Sequence, residues 1–331
     1  MPPRDTAALR PTYVAGPSAC PAHATSETFA GASAPLRAML REVERLARFE
    51  HTTVLIEGES GTGKSYVARH IHQCSPRARA PFQQVILSAL DDNLAASDLF
   101  GHLKGSYTDA RQSRPGHFVS ANTGTLFLDE IGKASHAVQR KLLHAIEHHE
   151  IWPVGADRAI RLDVRLVLAT NVPLETLVDS GAFLDDLAAR LLTFRVRLPS
   201  LRERRDDIPA LVRQFLTSRA ESCGHPAGPP KVHADLMAAL ERADWPHNLR
   251  QLDGTVQRLL INSEGEEVMG LEHCTGEVAR LLDPSPKKKT MPSREAVAEA
   301  MAELGSATAV AERFEISRAT VYRYLGEEAD E

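Results

Sequence analysis

Short apolar runs punctuate the first two-thirds of the chain. Thr53–Glu57, Gln84–Leu87, Thr125–Leu128 and Val164–Thr170 are strand candidates. Between them apolar positions recur at helical spacing, as in Ser65–Gln73. Strands that alternate with helices predict an α/β unit built on a mostly parallel sheet, placed at residues 28–207. From residue 208 to 282 apolar positions fall three and four apart, which predicts a smaller helical unit. Residues 283–292, with three prolines and three lysines, read as an exposed linker. Residues 293–325 form a last helical unit and 326–331 an acidic tail. Residues 1–27, rich in Pro, Ala, Ser and Thr without a period, read as a disordered tail.

Composition narrows the class. The 331 residues are 43% hydrophobic and 25% charged, a soluble globular balance long enough for two or three units. No apolar run suits a bilayer and no leader pattern starts the chain, so a cytoplasmic, membrane-free protein is expected. Cys20, Cys74, Cys223 and Cys274 are scattered and read as reduced thiols rather than disulfides or zinc ligands. A net charge of −5 excludes a broadly nucleic-acid-coating surface, so DNA contact must come from a local basic patch. His144 and His148, one turn apart beside His149, have metal-ligand spacing but read as an exposed helix face.

The strongest chemical signal is Gly58-Glu59-Ser60-Gly61-Thr62-Gly63-Lys64-Ser65, a complete P-loop between a strand and a helix. Its glycines let backbone N–H groups turn inward around phosphate oxygens. Lys64 supplies a point charge for the β- and γ-phosphates, and the Ser65 hydroxyl suits Mg²⁺. Thr125–Leu128 ends in Asp129 and Glu130, where open sheets face their ligand crevice. Asp129 is placed to organise Mg²⁺, and Glu130 to polarise a water for in-line attack. Alone the pair would read as an acidic turn. Leu166–Ala169 ends in Thr170 and Asn171, able to touch the γ-phosphate or the attacking water.

Ser306 to Leu325 reads as two short helices about a tight turn. Ala307, Val310 and Ala311 pack the first helix, Ile316 plugs the turn, and Ser317 caps the second. Val321 and Leu325 face the core. Arg318, Thr320, Tyr322 and Arg323 are left for the groove and backbone of DNA. A helical hairpin for oligomerisation is the other reading. Lys287-Lys288-Lys289 adds positive charge for phosphates or is a solvated linker.

Five stretches together carry a resemblance. They are the P-loop, Asp98-Leu99-Phe100-Gly101-His102, Gly124 to Gly132, Leu198 to Pro209, and Trp245-Pro246-His247-Asn248-Leu249-Arg250-Gln251-Leu252. The chain resembles bacterial enhancer-binding proteins, AAA+ activators that remodel sigma-54 RNA polymerase and end in a Fis-type helix-turn-helix. The resemblance implies an AAA+ ATPase with a helical lid, assembling into a hexamer-like ring on promoter-upstream double-stranded DNA. It implies ATP and Mg²⁺ as cofactors and the sigma-54 holoenzyme as partner. Arg190 matches an arginine reaching the neighbouring subunit's site, and Arg250 a lid arginine that senses nucleotide. The family loop Gly-Ala-Phe-Thr-Gly-Ala, which grips sigma-54, corresponds to Gly105-Ser106-Tyr107-Thr108-Asp109-Ala110.

The chain departs from that pattern at several points. Asp109 stands for a glycine, Ile86 for an asparagine that hydrogen-bonds the catalytic glutamate, and Leu184 for a second arginine finger. Leu103 replaces a usual glutamate, and Ser65 replaces a common glutamate, which restores the general P-loop pattern. ATP binding is expected to survive, with its coupling to the loop eroded. The alternatives are a weakly hydrolysing or non-hydrolysing regulator independent of sigma-54, and an accessory subunit of a mixed ring. With no room for an N-terminal receiver or sensor, control by protein level, a partner or nucleotide is expected.

Overall fold

The computed structural model describes residues 30–91, 94–106, 111–223, 225, 228–263, 265–282, 294–314 and 321–322. The expected tails, the linker with its lysines, and most of the second DNA-facing helix lie outside them. The chain divides into two compact units, Met1–Leu282 and Asp283–Glu331.

The first unit is built on β1 (Val54–Glu57), β2 (Phe82–Ile86) and β3 (Thr125–Asp129). A two-stranded antiparallel hairpin, β4 (Glu150–Ile151) and β5 (Ile160–Arg161), precedes β6 (Arg165–Thr170) and β7 (Arg195–Arg197). The five-stranded sheet runs β2-β3-β6-β1-β7, all parallel. Side chains alternate between its faces, as the period of two requires. Leu55, Leu126, Leu128, Leu166 and Leu168 join one core with Phe100, Phe118 and Leu142. Val54, Ile56, Phe127, Val167 and Ala169 face the other way, against Leu36, Val43, Val67 and Ile71 from the helices Ala34–Ala47 and Lys64–Gln73. Helices on both faces explain why β1 and β6 read as unbroken apolar runs.

β2 begins two residues before the expected strand and ends before Leu87, which opens a 3-10 turn. Gln83 and Gln84 pair with Leu126 and Phe127 through the backbone, and a parallel ladder is indifferent to their amides. The hairpin β4–β5 was not anticipated, being two residues long in each strand.

Beyond β7, Ser200 and Glu203 form a capping box that starts the lid. Helices Ile208–Arg219, Ala234–Arg242 and Asn248–Asn262 close around Leu211, Leu236, Leu240, Trp245, Val256 and Leu259. A short parallel pair, β8 (Lys231–Val232) and β9 (Val268–Met269), joins them where helix alone was expected. The buried Asp207 carboxylate, just ahead of this lid, accepts hydrogen bonds from Ala32 N, Ser33 N and the Ser33 hydroxyl.

In the second unit, helices Arg294–Leu304 and Ala307–Phe314 pack Val297, Ala300, Val310 and Ala311 around Val321. No helix among the described residues is long and apolar enough to cross a membrane. One expectation is overturned: Cys74 is disulfide-bonded, with its partner outside the described residues. A disulfide needs closeness in space, which scattered spacing does not exclude. Cys223 and Cys274 are free.

Candidate functional site

β1 runs into the glycine loop, which turns directly into the helix Lys64–Gln73. Gly63, at φ 103°, starts that helix without a side-chain cap, so its first N–H groups face the loop's hollow. Lys64 Nζ folds back to donate to the Gly58 and Glu59 carbonyls, at 2.8 and 3.0 Å. Burial pulls its pKa down, while Asp129 and Glu130 pull it up. The Ser65 hydroxyl donates to Asp129 Oδ2 at 3.3 Å. Asp129 Oδ1 accepts from Glu130 N at 2.9 Å. Burial raises the Asp129 pKa, and the Glu130 N–H and Lys64 lower it. Glu130 adopts φ 58°, a left-handed conformation that costs a non-glycine residue about 1 kcal/mol. That turn ends β3 and sets the Glu130 side chain in the same cleft as Lys64 and Ser65.

The cleft has a volume of about 300 Å³, within the range of small-molecule sites. Its polar lining includes the loop, Asp129, Glu130 and Asn171. Its apolar lining includes Ala30, Met39, Leu198, Leu211 and Phe215, the last two on the lid. The Ser65 hydroxyl and Asp129 carboxylate offer two adjacent oxygens, the hard ligands that Mg²⁺ takes while keeping water and phosphate. The residues present therefore fit a Mg²⁺-polyphosphate. No group of three or more His, Cys, Asp or Glu among the described residues could hold a metal by itself.

The lid is seated on the loop. Leu249 N donates to the Gly61 carbonyl at 2.9 Å. The fully buried Asn248 donates to Ser60 O at 3.0 Å and Glu59 Oε2 at 3.2 Å, and its Oδ1 accepts from Leu201 N at 2.7 Å. Arg250 Nη1 reaches Ser60 Oγ at 3.3 Å. Arg204, also buried, donates to Thr62 O at 3.2 Å. Arg202 pairs with Glu59 through both carboxylate oxygens and, with Asn248, holds that carboxyl down to about 2.

A family model described as the sigma-54 interaction domain matches residues 29–197. The chain belongs to the sigma-54 interaction family. An AAA+ ATPase lid domain matches residues 202–289, and a helix-turn-helix domain of resolvase matches 305–328. The DNA-binding transcriptional regulator NtrC of Klebsiella pneumoniae is 42% identical over 253 residues, 76% of this chain and 53% of that protein. The Nif-specific regulatory protein of Azotobacter vinelandii is 39% identical over 292 residues, 86% and 55% respectively. The crystal structure of NtrX from Brucella abortus in complex with ATP superposes with a TM-score of 0.68 at 30% identity, covering 90% of this chain and 68% of that one. The chain thus spans about half the length of the curated relatives it matches.

Within this sigma-54 interaction fold, the structure gathers some of the expected residues and separates others. Ser60, Gly61, Thr62, Gly63, Lys64, Ser65, Asp129, Glu130, Asn171 and Arg250 line one cleft. Gly58 lies at the loop's start, its N–H donating to Thr170 O at 3.2 Å. The Glu59 side chain is turned to Arg202 and Asn248. Thr170 Oγ1 donates to Val172 O at 2.7 Å and accepts from Val172 N at 3.1 Å, closing the strand end on itself. Arg190 stands half-exposed and paired with Glu147 at 2.6 Å. Gly105 is at φ 83°, and among the described residues nothing lies within 4 Å of where a Cβ would be. Tyr107, Thr108, Asp109, Ser317, Arg318, Thr320 and Arg323 lie outside the described residues. Tyr322 is half-buried against the second unit's core. His144 Nε2 is 3.3 Å from Glu150 Oε1, with its ring centroid 4.5 Å from that of His148.

The sequence pointed to Arg250 but missed Asn248, Arg202 and Arg204. The motif around Trp245 held the signal: an Asn two residues past a proline, opening a helix. Its φ of 50° is what aims it at the loop.

Proposed function

We propose that this chain is a DNA-bound transcription regulator that binds and hydrolyses ATP with Mg²⁺, acts in a hexamer-like ring, and works on sigma-54 RNA polymerase holoenzyme. The observation that carries the reading is the convergence of Lys64, Ser65, Asp129 and Glu130 on one cleft that lid residue Arg250 also enters. Mg²⁺ would neutralise charge on the β- and γ-phosphates. Ser65 and Asp129 would hold it. Lys64 leaves the Gly58 and Glu59 carbonyls for phosphate oxygens. Glu130 takes a proton from the attacking water, a contribution of about 10²- to 10⁴-fold. Arg250 carries nucleotide occupancy to the lid. Arg190 must part from Glu147 before it can serve a neighbouring site. The Gly105–Tyr107–Thr108 segment supplies the polymerase contact, and the Ser317–Arg323 segment the DNA contact.

A second reading is favoured by two residues. Ile86 lies directly opposite Asp129 in the β2–β3 register, 44% exposed and without a hydrogen-bonding group. Leu184 caps the helix Asp185–Leu191 and packs against the core, so it offers no cation to a partner. Both suit a slowly hydrolysing regulator that does not use sigma-54, or an accessory subunit of a mixed ring.

ATP turnover of the wild type and Glu130→Gln, with sigma-54-dependent transcription in vitro, tests the readings. Turnover abolished by Glu130→Gln, together with ATP-dependent open complexes, supports the first. Turnover unchanged by Glu130→Gln removes its catalytic basis. ATP binding without turnover or open complexes leaves the second.

A further inference from the structure

A groove beside the helix His136–His148 has no role above. Ala137, Arg140, Lys141 and His144 fall three and four apart on that helix, so they share one face. The buried Val138, Leu142 and Ala145 form another face, turned to the core. Trp152, just after β4, completes the lining, and the five residues bound a shallow groove of about 380 Å³.

Trp152 is 40% exposed, so burial in the core does not account for an indole at this position. Its backbone is fixed on both sides. Trp152 O accepts from Lys141 Nζ at 2.9 Å, and two residues on Val154 N donates to the Gly101 carbonyl at 2.8 Å. A side chain on a fixed backbone loses less freedom when a partner covers it.

Charge says what the partner carries. The chain has a net charge of −5, yet the groove is lined by an arginine, a lysine and a histidine and by no carboxylate. Lys141 is already engaged by the Trp152 carbonyl and lies 5.4 Å from the Phe100 ring centroid. His144 is 3.3 Å from Glu150. Arg140 is exposed and makes no ion pair among the described residues. A guanidinium takes a carboxylate through two parallel hydrogen bonds, while an indole beside it covers an apolar side chain. Trp and Arg are also the residues on which binding energy concentrates at protein interfaces.

We infer that this groove is a docking site for an acidic peptide segment of a partner protein, with a carboxylate on Arg140 and a neighbouring aromatic side chain on Trp152. The inference stands apart from the nucleotide reading, since none of the five residues lines the P-loop cleft.

The test is calorimetric binding of three capped pentapeptides to the full chain: Asp-Glu-Phe-Asp-Glu, Asp-Glu-Ala-Asp-Glu and Lys-Lys-Phe-Lys-Lys. The first is expected to bind with a Kd below about 1 mM, the second roughly tenfold more weakly, and the third not measurably. Arg140→Ala and Trp152→Ala should each weaken the first roughly tenfold and leave the unfolding temperature unchanged. Trp245 is fully buried, so an emission shift on binding reports Trp152, the other of the two tryptophans. No saturable binding of the first peptide overturns the inference, as does equal binding of the lysine peptide or undiminished binding by Arg140→Ala. Self-association of the wild type that Arg140→Ala abolishes, without peptide binding, gives the groove to a second copy of the chain and overturns it too.

Discussion

Asn248 donates to both the Ser60 carbonyl and the Glu59 carboxylate, so a single lid residue grips the P-loop at two points. Its third bond, from Leu201 N, ties the same amide to the start of the lid. Asn248→Ala strands the buried Leu201 N–H and releases the loop. A loss of about 2 kcal/mol in urea unfolding is expected, with ATP affinity falling alongside. Unchanged unfolding would show that the lid seats without this clamp.

Glu59 gives the contact an acid limit. Arg202 and Asn248 lower its carboxyl from 4.5 to about 2. A depressed carboxyl stabilises the fold above its unfolded value and loses that contribution as pH falls through the folded one. The loss therefore lies between about pH 4.5 and 2. The pair is part-exposed, so its contribution is at most about 1 kcal/mol. Stability of the wild type and Glu59→Gln, followed from pH 7 downward, should converge across that window. Parallel curves throughout would refute the assignment.

Gly61 has no room for a side chain. Its φ is +77°, and a Cβ would lie 2.2 Å from the His247 carbonyl, a backbone atom that cannot swing aside. Gly61→Ala should unseat the lid from the loop. Limited proteolysis of the lid should accelerate, and stability should drop by about 2 kcal/mol or more. Wild-type protease resistance would mean that the lid turn moves without cost.

Ile86 sits across the ladder from Asp129, whose backbone leads into Glu130. Ile86→Asn places an amide at that exposed strand end and removes an exposed apolar side chain, so little stability should be lost. If the missing hydrogen bond is what erodes coupling, steady-state ATP turnover rises severalfold in the variant. Equal turnover in the two proteins would locate the erosion elsewhere.

What the sequence revealed was local. The P-loop, Asp129-Glu130 and the apolar runs of β1, β3 and β6 each announce themselves within a few residues, because strand, turn and phosphate chemistry are short-range. The Asn248 clamp spans 189 residues and depends on a left-handed φ that no composition declares. Thr170 reads as a ligand because its hydroxyl ends a buried strand, and the bonds of that hydroxyl to Val172, two residues on, are set by a turn that the sequence does not announce. β2 was shifted in the sequence reading because its glutamines hide a backbone ladder. The Arg190–Glu147 pair joins two helices whose spacing in sequence says nothing of their approach.

Asp207 has a mechanical consequence. The carboxylate that receives Ala32 and Ser33 stands one residue before the first long lid helix. Gly31, at φ 126°, passes so close that a Cβ there would collide with it. Residues 32 and 33 are therefore fixed directly to the residue that precedes the lid's first long helix, while Arg204, three residues earlier, is fixed to Thr62 in the P-loop. The four residues 204–207 act as a single rivet, holding the start of the described chain on one side and the glycine loop on the other.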